Sequence, residues 1–240
     1  MQIIPVIDLK DGQAVHARQG QREHYQPLVT RFAASADPLA VTAGMLEHLP
    51  ITAIYIADLD AIMHGAPNTV TVRAIAARYP QLRIIVDGGF GPAQSPAPYL
   101  AADNIDIVIA SEANAAMDDY TVIRDTLPAA RCLLSLDRDA NGPRGCAALF
   151  AQPEAWPDRV IHMNLARVGA EGGPDFAGLE TLLALAGTHR VLAAGGVRHR
   201  ADLECLDRLG IDAVLIGTAL HDGRLDAPDF DGLHSKTTSC

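Results

Sequence analysis

Two aspartates close apolar runs in this 240-residue chain: Asp8 in PVIDL (5–9) and Asp137 in LLSLD (133–137). Carboxyls on opposite sides of one substrate can serve as general base and general acid when their surroundings hold their pKa values apart. The bland alternative is that each caps the loop that follows it. Two further apolar runs end in small residues, Gly195-Gly196 after 191–194 and Gly217-Thr218 after 213–216. Without a Cβ the main-chain N–H groups of such turns lie open to an anion, and the Thr218 hydroxyl adds a donor. Weaker copies occur earlier: Asp87-Gly88-Gly89 after 83–86, and Ala110-Ser111 after 106–109. There Ala110 replaces a glycine and Glu112 brings negative charge, so an anion would want a cation such as Arg18 or Arg22. His16 and Arg18 lie in the first long loop, while Asn164 and Arg167 follow the sixth apolar run; all four are expected to contact substrate. Asp58 and Asp60 are expected to shape the site rather than titrate in it. His64, His162 and Asp87 lack metal-ligand spacing and no G-x-S-x-G occurs, so neither a metal nor a serine triad is expected.

The elements that must position these residues alternate along the chain. Apolar strand-like runs at 2–7, 53–57, 83–86, 106–109, 131–136, 159–165, 191–194 and 213–216 are separated by helical spacing or turn-rich loops. Asp37-Pro38 predicts an N-cap with proline in the first helical position, opening a helix to His48. Helices are also expected within 67–79, near 118–127, from 176 to about 187 and over 202–209. The segment 92–102 carries three prolines, so its helix should be short or start late, around Pro98. Non-alternating strands point to a parallel sheet covered on both sides. An open doubly wound sheet would carry its ligand turn after the first strand, where only Asp11-Gly12 stands. The expectation is therefore a (β/α)8 TIM barrel over 1–240, with its site at the C-terminal ends of the strands. Gly89 and Gly196, like Ala110 and Gly217, are 107 residues apart, which predicts half-barrels of about 1–128 and 129–240 with a pseudo-two-fold site.

Composition narrows the partner. A formal net charge of −10 disfavours nucleic acid and anionic membranes, and no run approaches the length of a membrane helix. Four cysteines without paired spacing are read as reduced thiols, and the chain as a cytoplasmic monomer or small homo-oligomer binding a small phosphorylated molecule.

The segments PVIDLKDGQAV, IADLDAI, VDGGF, SLDRD, AAGGV and AVLIGTAL together resemble the histidine-biosynthesis barrels. They are most similar to the branch of phosphoribosylformimino-aminoimidazole-carboxamide ribotide isomerases. The resemblance implies a duplicated half-barrel, a substrate with phosphate at both ends, and a cofactor-free Amadori rearrangement. By the same likeness, Asp8 would take the C2 proton and Asp137 would open the sugar ring by protonating its oxygen. Several loops depart from the family pattern. His16 stands at an arginine position, Met163-Asn164 replaces Thr-Asp, and Arg167-Val168-Gly169 replaces R-D-G. Likewise Gly145-Cys146 replaces Gly-Trp, and Ala110-Ser111-Glu112 replaces Gly-Thr. This pattern resembles divergent isomerase-related proteins of methanogens and methylotrophs. It leaves two other readings beside the isomerase: a lyase or synthase of one-carbon cofactor biosynthesis (methanopterin or methanofuran type), and a non-catalytic phosphate-ligand binder.

Overall fold

The computed structural model describes residues 1–17 and 21–233. Eight parallel strands close on themselves: β1 (Gln2–Lys10), β2 (Ala53–Asp58), β3 (Arg83–Asp87), β4 (Ile105–Ala110), β5 (Cys132–Asp139), β6 (Arg159–Asn164), β7 (Arg190–Ala194) and β8 (Ala213–Ile216). They pair in chain order, and β8 returns to β1 with Gln2 opposite Ala213 and Pro5 opposite Ile216. The result is the expected (β/α)8 barrel.

Among the described residues the helices are seven: α1 (Pro38–His48), α2 (Leu59–His64), α3 (Thr69–Arg78), α4 (Met117–Thr126), α5 (Phe176–Ala186), α6 (Arg200–Leu209) and α7 (Thr218–His221). Their boundaries follow local chemistry. Asp37 accepts the Ala40 N–H at 2.8 Å with Pro38 next to it, and Gly210 ends α6 at φ +91°.

Two departures from the sequence reading have physical causes. The first long loop is partly ordered as a hairpin. Residues Gln13–Val15 run back along β1 through Asp11-Gly12, both at positive φ, and the Asp11 N–H is held by Asp60 at 2.8 Å. Segment 92–102 forms turns and no helix. Its prolines remove backbone donors, and Tyr99 fills the space edge-to-face against Phe90 at 5.5 Å. The β5–β6 connection holds the short antiparallel return Gly142–Pro143 and two 3-10 turns, Ala147–Phe150 and Pro153–Ala155.

Strand alternation sets what faces inward. Ile4, Tyr55, Ile85, Val108, Leu133, Ile161, Leu192 and Leu215 fill the barrel, while Ile7, Ile54, Ile84, Ile107 and Leu134 pack outward under the helices. The inward parity carries Asp8 on β1, Asp87 on β3 and Asp137 on β5 to the upper rim. At the lower end the same parity places Asp106 between Arg83 (3.3 Å) and Arg159 (2.8 Å), 2% exposed.

Asp58 has outward parity and pins the loop after β2. Its buried carboxylate caps α2 through the Ala61 N–H (3.1 Å), accepts the Asn68 N–H (2.6 Å) and side chain (2.8 Å), and accepts the Tyr99 hydroxyl (2.6 Å). Asp58→Ala strands these donors in the interior. It is expected to destabilise the fold by about 3–4 kcal/mol, read as a lower urea midpoint at unchanged slope.

Candidate active site

The strand C-termini and the loops above them enclose a cavity of about 1140 Å³, counting its open mouth. Its floor is acidic, formed by Asp8, Asp87 and Asp137, with Glu112 from the loop after β4 and Tyr55 from β2.

The two aspartates sit in different company. Among the described residues no hydrogen-bond donor reaches the Asp8 carboxyl, which faces the cavity. Burial pushes its pKa from 3.8 to about 7; nearby Arg22 pulls it down and Asp87 pushes it up. Asp137, by contrast, is fixed. Its Oδ1 accepts the Ser135 hydroxyl at 2.6 Å, and its Oδ2 accepts the Ser111 hydroxyl at 3.1 Å and the Glu112 N–H at 3.0 Å. Its own N–H donates to the Ser111 oxygen at 2.8 Å. Burial, then the charges of Glu112 and Asp87, raise it to about 7 against the pull of the Ser135 and Glu112 donors.

Asp87 accepts the Gly89 N–H and the Tyr55 hydroxyl, each at 3.0 Å, and burial raises its pKa. Burial keeps the Tyr55 phenol protonated, so it acts as a donor. Glu112 is paired with Arg22 at 2.5 Å and with Arg144 at 3.2 Å. Lys10 reaches the Arg22 and Glu23 carbonyls at 3.3 and 3.1 Å and so fastens the loop that carries Arg22.

The other side of the cavity is built by Gly195, Gly196, Gly217 and Thr218, with His221, Arg224 and His16. Gly195 and Gly196 adopt φ +98° and +86°. A Cβ on Gly196 would overlap the Gly173 carbonyl, and one on Gly195 would lie 2.7 Å from the Asn164 oxygen. Loop packing therefore demands these glycines even as they line the site. His221 is neutral: its Nε2 donates to the Val6 carbonyl at 2.9 Å, so its Nδ1 accepts from the Thr30 hydroxyl at 3.1 Å, and burial lowers its pKa.

The structure thus brings Asp8, Asp137, Gly195, Gly196, Gly217, Thr218 and His16 to one cavity. Gly88, Gly89 and Ser111 are not among its lining residues. Gly89 and Ser111 are hydrogen-bonded to Asp87 and Asp137, and Gly88 packs under the Phe90 ring. Asn164 has outward parity and donates to Asp175 at 2.9 Å, beside His162 on the same carboxylate. Arg167 turns to the Gly172 carbonyl at 2.7 Å and braces its own loop. Arg18 lies outside the described residues. Sequence reasoning did not single out Tyr55, His221 or Arg224. Tyr55 carried a usable signal, being a hydroxyl at inward parity in an otherwise aliphatic strand. Among the described residues, no cluster of three His, Cys, Asp or Glu is arranged to hold a metal, and no helix is long and apolar enough to cross a membrane.

Comparison with known proteins matches residues 2–226 to the family model described as histidine biosynthesis protein. The chain is 31% identical over 233 residues to an uncharacterized protein of Methanocaldococcus jannaschii, covering 96% of this chain and 97% of that one. It is 29% identical over 248 residues to an imidazole-4-carboxamide isomerase of Alkalilimnicola ehrlichii, covering 97% and 96%. It is 30% identical over 242 residues to the isomerase of the same name from Solidesulfovibrio magneticus, covering 95% and 94%. The isomerases' name carries two 5-phosphoribosyl groups.

A carboxyl whose pKa rises from 3.8 to about 7 on folding binds its proton more readily in the native state, so stability falls as pH climbs between those values. Asp8→Asn removes that loss. Thermal unfolding followed from about pH 4 to pH 8 is expected to show the variant more stable than wild type above pH 7. The gain, discounted for cavity water, is about 1–2 kcal/mol, and the two curves converge at the acid end.

Proposed function

The chain belongs to the histidine biosynthesis protein family, and from that membership we propose that it is an aldose–ketose isomerase of a phosphorylated ribotide or sugar, with Asp8 and Asp137 as its acid–base pair. The observation that carries this reading is the pair of carboxyls on one cavity floor, both pushed to about 7 by burial yet differently held. A group titrating near neutrality can both give and accept a proton at working pH. The relatives named as isomerases support the reaction class.

In an Amadori rearrangement the carboxylic acid of Asp137 protonates the ring oxygen of an N-glycosylamine. The C1–O bond breaks, and the nitrogen lone pair forms C1=N. The Asp8 carboxylate, with no hydrogen-bond donor on it among the described residues, removes the C2 proton, and that electron pair becomes C1=C2 as the iminium is neutralised. The resulting enaminol takes a proton at C1 and loses one from its C2 hydroxyl, giving the ketose. Protons are conserved and no redox partner is needed. Ser111, Ser135 and the Glu112 amide hold Asp137 in one orientation throughout, while Tyr55 keeps Asp87 hydrogen-bonded beside it. Gly195, Gly196, Gly217 and Thr218 take the phosphate and anchor the sugar across the floor.

The test is conversion of an N-glycosylamine of ribose 5-phosphate, deuterated at C2 and followed by NMR for ketose and for deuterium loss. Asp8→Asn and Asp137→Asn are each expected to lower kcat by about 10²–10⁴-fold with little change in KM. Wild-type turnover no faster than that of either variant overturns the proposal.

A further inference from the structure

The two halves of the barrel treat corresponding positions differently. Gly196 and Thr218 line the cavity, whereas the positions 107 residues earlier, Gly89 and Ser111, are turned inward on the protein's own carboxylates. The Gly89 N–H is held by Asp87, and the Ser111 hydroxyl and Glu112 N–H by Asp137. In the same place the chain supplies an anion of its own. The Glu112 side chain, 12% exposed, lines the cavity and takes one guanidinium from the loop after β1, Arg22, and one from the loop after β5, Arg144. Arg144 is itself anchored, its N–H donating to the Asp137 carbonyl at 2.8 Å and its Nη1 pairing with Asp139 at 3.1 Å.

We propose that Glu112, clamped by Arg22 and Arg144, is the specificity-determining residue of this site. It closes one end of the cavity to phosphate, so the substrate carries a single phosphate, seated at Gly195, Gly196, Gly217 and Thr218, and a hydroxyl- or amine-rich far end. This rests on the reading of the cavity as a substrate site given above. A phosphate brought to the far end would meet the Glu112 carboxylate and the carboxyl oxygens of Asp87 and Asp137 in a space of low dielectric. The Gly89 and Glu112 amides, which could cradle it, are held by Asp87 and Asp137. Hydroxyl and N–H groups fit there, because Asp87 and Glu112 offer oxygens as acceptors.

Isothermal titration at low salt with ribose 5-phosphate and ribulose 1,5-bisphosphate tests the assignment. The wild-type protein is expected to bind the monophosphate at least about tenfold more tightly than the bisphosphate. Glu112→Gln releases the Arg22 guanidinium and leaves Arg144 paired with Asp139 alone, and is expected to shift the preference at least about tenfold toward the bisphosphate. Arg144→Gln, which leaves Glu112 less neutralised, is expected to shift it the other way. A wild-type preference for the bisphosphate, an unchanged ratio in both variants, or failure of both compounds to bind at millimolar concentration overturns it. Turnover is not read in this experiment. A protein showing the stated preferences while isomerising nothing supports the specificity assignment and refutes the reaction proposed above.

Discussion

Ionisable groups at the inward end of a parallel strand must live in a space walled by hydrocarbon, and nearly every polar contact in the upper barrel answers that constraint. Desolvation alone would drive Asp8, Asp87 and Asp137 toward the neutral form. Two serine hydroxyls, a phenol and two main-chain amides restore part of the lost hydration for Asp87 and Asp137. Among the described residues, Asp8 is left to the cavity and to the fields of Arg22 and Asp87. The tension between burial and partial compensation holds two carboxyls close to neutrality. The same residues placed on the outer parity, as Asp58 is, become plain structural acceptors.

That solution gives the barrel an internal polarity. One side presents glycines whose main chain is exposed by the packing of the loop at 164–173; the other presents carboxylates whose neighbouring amides are already taken. Two short antiparallel returns, Gln13–Val15 on β1 and Gly142–Pro143 on β5, repeat the same device at the first strand of each half. Yet they carry different cargo. The first leads to the loop bearing Arg22; the second brings Arg144 over Glu112. Backbone correspondence is kept while the chemistry at the rim diverges.

Local signals made the frame legible. Apolar runs that stop at Asp8, Asp87, Asp137, Gly195 and Gly217 marked the strands, and Asp37-Pro38 placed α1 to the residue, because strand ends and caps are set by neighbours in sequence. Three prolines announced trouble in 92–102 but not its resolution, since only the fold shows Tyr99 reaching Asp58. Parity was the underused signal. Counting from Ile161 turns Asn164 outward, and counting from Leu133 turns Asp137 inward. Contacts between distant segments lay beyond local patterns: Arg22 and Glu112 are 90 positions apart, and no spacing rule relates them. The self-occupied first cradle follows from that kind of contact and so emerges only in three dimensions.

The ionic plug of Asp106 between Arg83 and Arg159 has a kinetic corollary. Above it lie layers of aliphatic side chains and Tyr55, all but fully excluded from water, so the barrel is a blind well rather than a tunnel. Whatever enters leaves by the same doorway. Under the proposed reaction, reactant and product share that single threshold.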